Sequence, residues 1–298
     1  MIEIINKISG RMNKKKLYII LGILVVVLAI VIILIAVISP QKKLLTVAFL
    51  NVRQGDSIYI ESPNGYQMIV DGGPDATVLR ELGSVMPFYD RSIDILVATH
   101  PDKDHIAGLV DVMQNFSVGG MLRPELDSDT SVYKLFESTL TRLDISDNVA
   151  TRGARIHLDD DYGVYADVLH PAYDVSRVRD TNDGSIVLRL VYGETEFLLT
   201  GDATLRIEDE LVTKGNSQSL ASDVLKLGHH GSKTSSGENF LRAVSPEIAV
   251  ISAGCDNQYG HPHREVTDRV ENLGIQMIDT CSYGTIIMQS DGEHIWVK

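Results

Sequence analysis

The sequence predicts an α/β protein, a four-layer αβ/βα sandwich of two face-to-face sheets with helices outside, preceded by one transmembrane helix. Three observations carry this expectation. An uncharged apolar run lies near the N-terminus, short apolar segments alternate with helix-length ones in two successive halves, and polar clusters fall at the ends of the apolar segments.

The apolar run is Leu17 to Ser39, LYIILGILVVVLAIVIILIAVIS, 23 residues without a charge. As a helix it is roughly 34 Å long at about 1.5 Å per residue, enough to span a bilayer. A cleavable signal would have an apolar core of only about 7 to 15 residues and a small-residue cleavage site, and this run has neither, so it reads as an uncleaved anchor. Lys7, Arg11, Lys14, Lys15 and Lys16 precede it, and Lys42 and Lys43 follow closely. The excess of positive charge on the N-terminal side places residues 1–16 in the cytoplasm, 17–39 in the membrane and 44–298 outside it.

The first 43 residues hold seven of the 27 basic residues and one of the 40 acidic ones, so the remaining domain carries a formal charge of −19. Such a surface repels polyanions, and a nucleic-acid substrate would need bound cations or a local basic patch to hold it. The two cysteines, Cys255 and Cys281, are too few for a disulfide framework and lack CxxC spacing. Two inert small core residues are the favoured expectation, with a single bridge as the alternative if the domain is extracytoplasmic.

After the anchor, 44–52, 56–62 and 66–73 read as strands, with Pro63-Asn64-Gly65 turning between the last two. Residues 94–100 form a buried strand leading into a helix over 104–114. The polar stretch 123–162, with one helix at 131–142, reads as an insertion or flap. The second half repeats the build: strands at 164–170, 185–192 and 196–203, the last two joined by a hairpin near Glu194. Strands at 223–230 and 247–254 then alternate with helices at 204–213, 237–244 and 264–273, and two short strands close the chain.

Each polar cluster sits at the C-terminal end of an expected strand, where ligands gather in such architectures. The clusters are Asp71-Gly72-Gly73; His100, Asp102, Asp104 and His105 in VATHPDKDH; Asn182 and Asp183; Thr200-Gly201-Asp202; His229-His230-Gly231-Ser232; and Tyr259-Gly260-His261-Pro262-His263. A single His-x-Asp is ordinarily a solvated loop, and Asp71 before two glycines makes an ordinary turn. Together, imidazole nitrogens and carboxylate oxygens are the donors of first-row divalent ions. His100 and Asp102 are expected to hold one ion and Asp104 and His105 a second, with Asp202 bridging through its two oxygens. Two such ions, about 3.5 to 4 Å apart, activate water and clamp an anionic substrate.

HPDKDH resembles the HxHxDH signature of the metallo-β-lactamase superfamily. The ordered series NVRQGDSIYI, IVDGGP, THPDKDHIAGL, NDGSIVLRL, LLTGDA, LKLGHHGSKTSS and ISAG…NQYGHPH is similar to the metallo-hydrolase domain of ComEC-type DNA-uptake proteins, over about residues 44–298. The resemblance implies the metallo-β-lactamase sandwich and two divalent ions, zinc or manganese. It implies metal ligation by His100, Asp102, Asp104, His105 and Asp202, support of the site by Asp71, and a second-site histidine at His229 or His230. His229 is the favoured ligand, with His230 beside substrate. Asn182 stands where many members carry a further histidine, and His261 is a second candidate to complete the site or contact phosphate. Asp102 replaces a histidine of the pattern, so the donor set is richer in oxygen, which shifts preference toward manganese and away from a β-lactam substrate.

These features lead to the expectation of a membrane-anchored binuclear hydrolase of phosphodiesters, with DNA as the substrate that the resemblance favours. Asp104, His230 and His261 are the expected catalytic residues. A smaller or wall-derived phosphoester, such as a phosphocholine-like ester, is the alternative favoured by the −19 charge. A metal-stabilised binding module without catalysis is the competing class.

Overall fold

A computed structural model describes residues 14–38, 44–214 and 220–298 of the chain. The chain divides into two units, Met1–Lys42 and Lys43–Lys298. The first contains helix α1 (Lys14–Ile38), and its stretch Lys15–Ile32 is the one segment among the described residues long and apolar enough to cross a membrane. Its side chains from Tyr18 to Ile32 are exposed, as expected of a helix apolar on every face. Residues 1–13, Ser39, Lys42 and Lys43, on which the expected topology partly rests, lie outside the described residues.

The second unit supplies strands β1 (Leu45–Phe49), β2 (Ile58–Glu61), β3 (Gln67–Val70), β4 (Ser92–Ile93), β5 (Ile95–Val97), β6 (Ser117–Val118), β7 (Met121–Arg123) and β8 (Asp147–Val149). These are followed by β9 (Arg155–Asp159), β10 (Val164–His170), β11 (Val187–Tyr192), β12 (Thr195–Leu199), β13 (Val224–Lys226), β14 (Ile248–Ile251), β15 (Gln276–Asp279), β16 (Ile286–Ser290) and β17 (Ile295–Val297). One sheet runs β17-β16-β1-β2-β3-β5-β7-β8 and the other β15-β14-β13-β12-β11-β10-β9, while β4 and β6 form a small separate pair.

Period-two alternation divides each strand between two cores. Val47 and Phe49 of β1 face inward with Leu188, Leu190 and Phe197 of the opposite sheet, forming the central apolar layer. Ala48, on the other face of β1, packs with Ile69 and Leu96 against helices α2 (Thr77–Val85), α3 (Lys103–Asn115) and α4 (Ser131–Leu143) through Leu82, Leu109 and Phe136. On the far side, Leu198, Leu225 and Ala249 meet α5 (Leu205–Lys214), α6 (Glu238–Val244) and α7 (Arg264–Asn272) through Ile207, Phe240 and Val270. The expected αβ/βα layering is the layering observed.

Two sequence expectations are corrected. The stretch 123–162 is no flap: β7 and β8 extend the first sheet in parallel register, and β9 pairs antiparallel with β10 as the edge of the second. All three residues of β8 are exposed, so it carries no apolar alternation to mark it as a strand. Cys255 and Cys281 are not core residues; both are exposed, and they are joined as a disulfide with Cα atoms 5.0 Å apart. The bridge ties the loop after β14 to the short helix α8 (Thr280–Tyr283).

Candidate metal centre

The loops after β1, β3, β5, β12 and β13 converge at one end of the two sheets, and Lys226 reaches the same place from the last residue of β13. Close backbone packing sets the loop after β3. A Cβ on Gly108 of α3 would lie 1.9 Å from the Gly72 carbonyl oxygen, and one on Gly72 would lie 2.3 Å from the Leu109 nitrogen. Only glycine permits this approach, and it seats the Asp71 loop on the first turns of α3.

Asp71, fully buried, organises two histidines. Its Oδ2 accepts from His105 Nδ1 at 2.7 Å and from Thr99 Oγ1 at 2.7 Å, and the same Thr99 hydroxyl accepts from His100 Nδ1 at 3.0 Å. Because each ring commits Nδ1 to donation, each Nε2 is left for a proton or a metal ion. His230 is fixed in the same sense, its Nδ1 donating to the Ser252 carbonyl at 2.9 Å. Its backbone is held at φ 57°, next to His229 at φ 49°. Two consecutive non-glycine residues in the left-handed region cost roughly 1–3 kcal/mol each, and this turn aims both imidazoles at Asp202.

Asp202 Oδ2 is the focus. The Nε2 atoms of His105, His230, His229 and His100 lie 3.3, 3.4, 3.7 and 4.0 Å from it. Two donors that share one ion at about 2.0–2.2 Å each stand about 3 to 4 Å apart, so this spacing suits ligation. The Nε2 atoms of His100, His105 and His230 are buried without a hydrogen-bond partner, which is costly unless a cation takes them. Four compact donor groups result among the described residues, two of them His100–His105–Asp202 and Asp104–His105–His230, the atoms of each within 4.8 Å of one another. The residues therefore fit a binuclear divalent centre.

Electrostatics point the same way. Burial alone would raise the Asp202 carboxyl, but His230, His105 and Lys226 hold it well below the ordinary range. Burial alone would lower His105 and His230, yet Asp202 and Asp71 push His105 well up, and Asp202 and Asp56 push His230 up to about 9. Burial and the neighbouring His105 push His100 down to about 3. In the metal-free chain, protons on two histidines thus offset the carboxylates, and cations binding there would displace them.

The remaining expected residues fall at defined places. Asp102 Oδ2 lies 3.9 Å from His100 Nε2, and its Oδ1 accepts from Thr181 Oγ1 at 2.8 Å. Asp104 Oδ2 lies 3.4 Å from His230 Nε2. His229 is partly exposed, and its Nδ1 pairs with Thr234 Oγ1 at 3.0 Å. Asn182 shares the turn of Thr181, its Oδ1 buried and without a hydrogen-bond partner. His261 stands beside the pair, its ring 5.5 Å from that of His229 and 6.1 Å from that of His230. The geometry thus puts His230, not His229, in the buried donor groups. It also turns only one oxygen of Asp202 toward the histidines, since Oδ1 faces Lys226 at 3.7 Å.

Sequence reasoning assigned no role to Asp56, Thr99, Thr181 or Lys226. Asp56 and Lys226 are fully buried and paired with each other, and His230 Nδ1 lies 3.2 Å from Asp56 Oδ1. A lysine in the middle of the apolar VLKL is the signal that pointed to one of them.

The metallo-beta-lactamase superfamily model matches residues 50–254, and the chain belongs to that superfamily. Among curated proteins it is similar to the competence protein ComA of Neisseria gonorrhoeae, 33% identical over 238 residues that cover 78% of this chain and 30% of that protein. It is also similar to ComE operon protein 3 of Bacillus subtilis, 28% identical over 258 residues, 80% of this chain and 32% of that protein. The chain spans about a third of the length of these relatives. Among solved structures, YhfI of Bacillus subtilis matches with TM-score 0.55 at 12% identity, covering 83% of this chain and 100% of that one. Igni18, a metallo hydrolase of Ignicoccus hospitalis, matches with TM-score 0.52 at 17% identity, covering 81% and 98%. These likenesses bear on the fold.

Proposed function

We propose that this chain is a membrane-anchored, binuclear metal-dependent phosphodiesterase that acts on nucleic acid. The observation that carries it is the convergence of buried, partnerless imidazole Nε2 atoms on a single oxygen of Asp202. His100, Asp102 and Asp202 would hold one ion, and Asp104, His105, His230 and Asp202 the other, as zinc or manganese. The bound pair would supply an activated water and positive charge against the phosphoryl oxygens.

The protein's own groups do the rest. Asp71 keeps the rings of His100 and His105 turned so that Nε2 faces Asp202. Thr181 holds Asp102, and the Ser252 carbonyl holds His230. His229 and His261 border the centre with their rings held neutral: burial lowers both, and His230 and His229 help bring His261 down to about 4. A neutral imidazole there can orient a phosphodiester by hydrogen bonding.

The competence-protein relatives favour DNA. An open cleft of about 410 Å³ beside the centre carries Arg53, Lys103 and Tyr259 together with three carboxylates, Asp75, Asp104 and Asp256. The exposed Tyr259 ring is suited to stacking on a base, and Arg53 and Lys103 to phosphate, with bound ions needed to offset the carboxylates. The formal −19 of the domain supports the second reading, a small or wall-derived phosphoester. The anchor reading is supported by α1, and an exterior-facing domain by the exposed Cys255–Cys281 bridge, since disulfides persist in oxidising compartments.

The test is hydrolysis of plasmid DNA, bis-p-nitrophenyl phosphate and phosphocholine esters by purified protein with Mn²⁺ or Zn²⁺, against Asp202→Asn. Cleavage of DNA by wild type alone supports the nuclease. Cleavage of small esters alone moves the assignment to the second reading, and metal uptake without turnover on any substrate moves it to a binding module.

A further inference from the structure

Lys226 is wholly buried between Leu225 and Leu227, which pack into an apolar core. Its ammonium donates to the Gly201 carbonyl at 2.9 Å, pairs with Asp56 Oδ2, and lies 3.7 Å from Asp202 Oδ1. Asp56 is itself placed as a metal ligand would be. It belongs to two compact donor groups, one with Asp202 and His230 and one with Asp71 and His105. The ammonium of Lys226 is already seated on Asp56.

We propose that Lys226 is a resident cation of the centre: it occupies the place between Asp56 and Asp202 that a further metal ion would take, and so limits the centre to two ions. The proposal rests on the binuclear reading above. Five carboxylates border the site, Asp56, Asp71, Asp102, Asp104 and Asp202, and two divalent ions with one ammonium balance them in formal charge. By engaging Oδ1 of Asp202, Lys226 also leaves a single oxygen, Oδ2, facing the histidines. Lys226 is thus a positioning residue, acting through Asp56 and Asp202. An ordinary buried ion pair would be indifferent to metal, and removal of both its partners together would be tolerated.

The experiment is a Co²⁺ titration of the metal-stripped full chain in detergent, reading bound metal per chain and the visible absorption spectrum. Wild type is expected to take two equivalents, and Lys226→Met, with Asp56 uncovered and one positive charge fewer, a third equivalent with a shifted spectrum. Asp56→Asn/Lys226→Met covers the case in which the single variant does not fold. It should take two equivalents and still show a shifted spectrum, because Asp202 Oδ1 has lost its ammonium. Two equivalents and an unchanged spectrum in either variant, beside two in wild type, overturn the role of Lys226 alone. Fewer than two equivalents in wild type take the proposal down together with the binuclear reading.

Discussion

Asp202 and Glu208 stand six residues apart across the start of α5, and both are buried, 3% and 1% exposed. Asp202 is ringed by side chains that carry or accept positive charge, and its carboxyl is held well below the ordinary range despite its burial. Glu208 meets neutral dipoles instead: its two oxygens accept from the backbone nitrogens of Ser236 at 2.6 Å and Gly237 at 2.8 Å. Burial wins there and pushes its carboxyl up to about 7. Burial alone therefore does not set a carboxylate's charge; the groups around it do, and on the proposed reading those around Asp202 mark it as a metal ligand. Glu208 ties α5 to the start of α6, whereas Asp202 gathers a centre.

That contrast predicts unequal consequences. Asp202→Asn should lower phosphodiester kcat by about a thousandfold or more, while Glu208→Gln should change it less than about twofold, measured on bis-p-nitrophenyl phosphate. A large loss in both variants would dissolve the distinction. Within the centre, His230→Ala should weaken binding of the second ion by about a hundredfold, and His229→Ala by less than about tenfold, read by calorimetric titration. Equal losses would place His229 in the ligand set beside His230. Thr181→Val, which frees Asp102 Oδ1, should weaken metal binding by roughly tenfold and leave thermal stability of the metal-free chain unchanged.

The smallest effect is on stability. The folded-state carboxyl of Glu208 lies near 7, above its ordinary 4.5, so the folded chain keeps a proton that the unfolded chain releases over that interval. Its contribution to stability is full below about pH 4.5, falls as pH rises toward 7 and is level above. Glu208→Gln does not titrate. Relative to wild type it should gain on the order of 1 kcal/mol, a few degrees in Tm, between pH 5 and pH 8. A pH-independent difference between the two proteins would remove the carboxyl from the account.

The parts of the centre visible in the sequence share one property: they are short runs of donors at strand ends. His100, Asp102, Asp104, His105 and Asp202 stand in such runs, and the fold brings them together. Asp56 and Lys226 are lone charges flanking or within apolar strands, and their meaning arises only when β13 and the loop after β1 come together in space. The choice between His229 and His230 depends on the backbone angles of one turn, which residue identity does not encode. The sandwich itself was legible because its strands alternate or run apolar, whereas β8 is an exposed edge without that pattern.

The central claim is most directly tested by the metal content of the full chain together with its phosphodiesterase activity before and after chelation. Two divalent ions per chain, with hydrolysis abolished by chelator and restored by Mn²⁺ or Zn²⁺, is the predicted result. Fewer than one ion per chain after metal loading, or hydrolysis indifferent to the chelator, would contradict it.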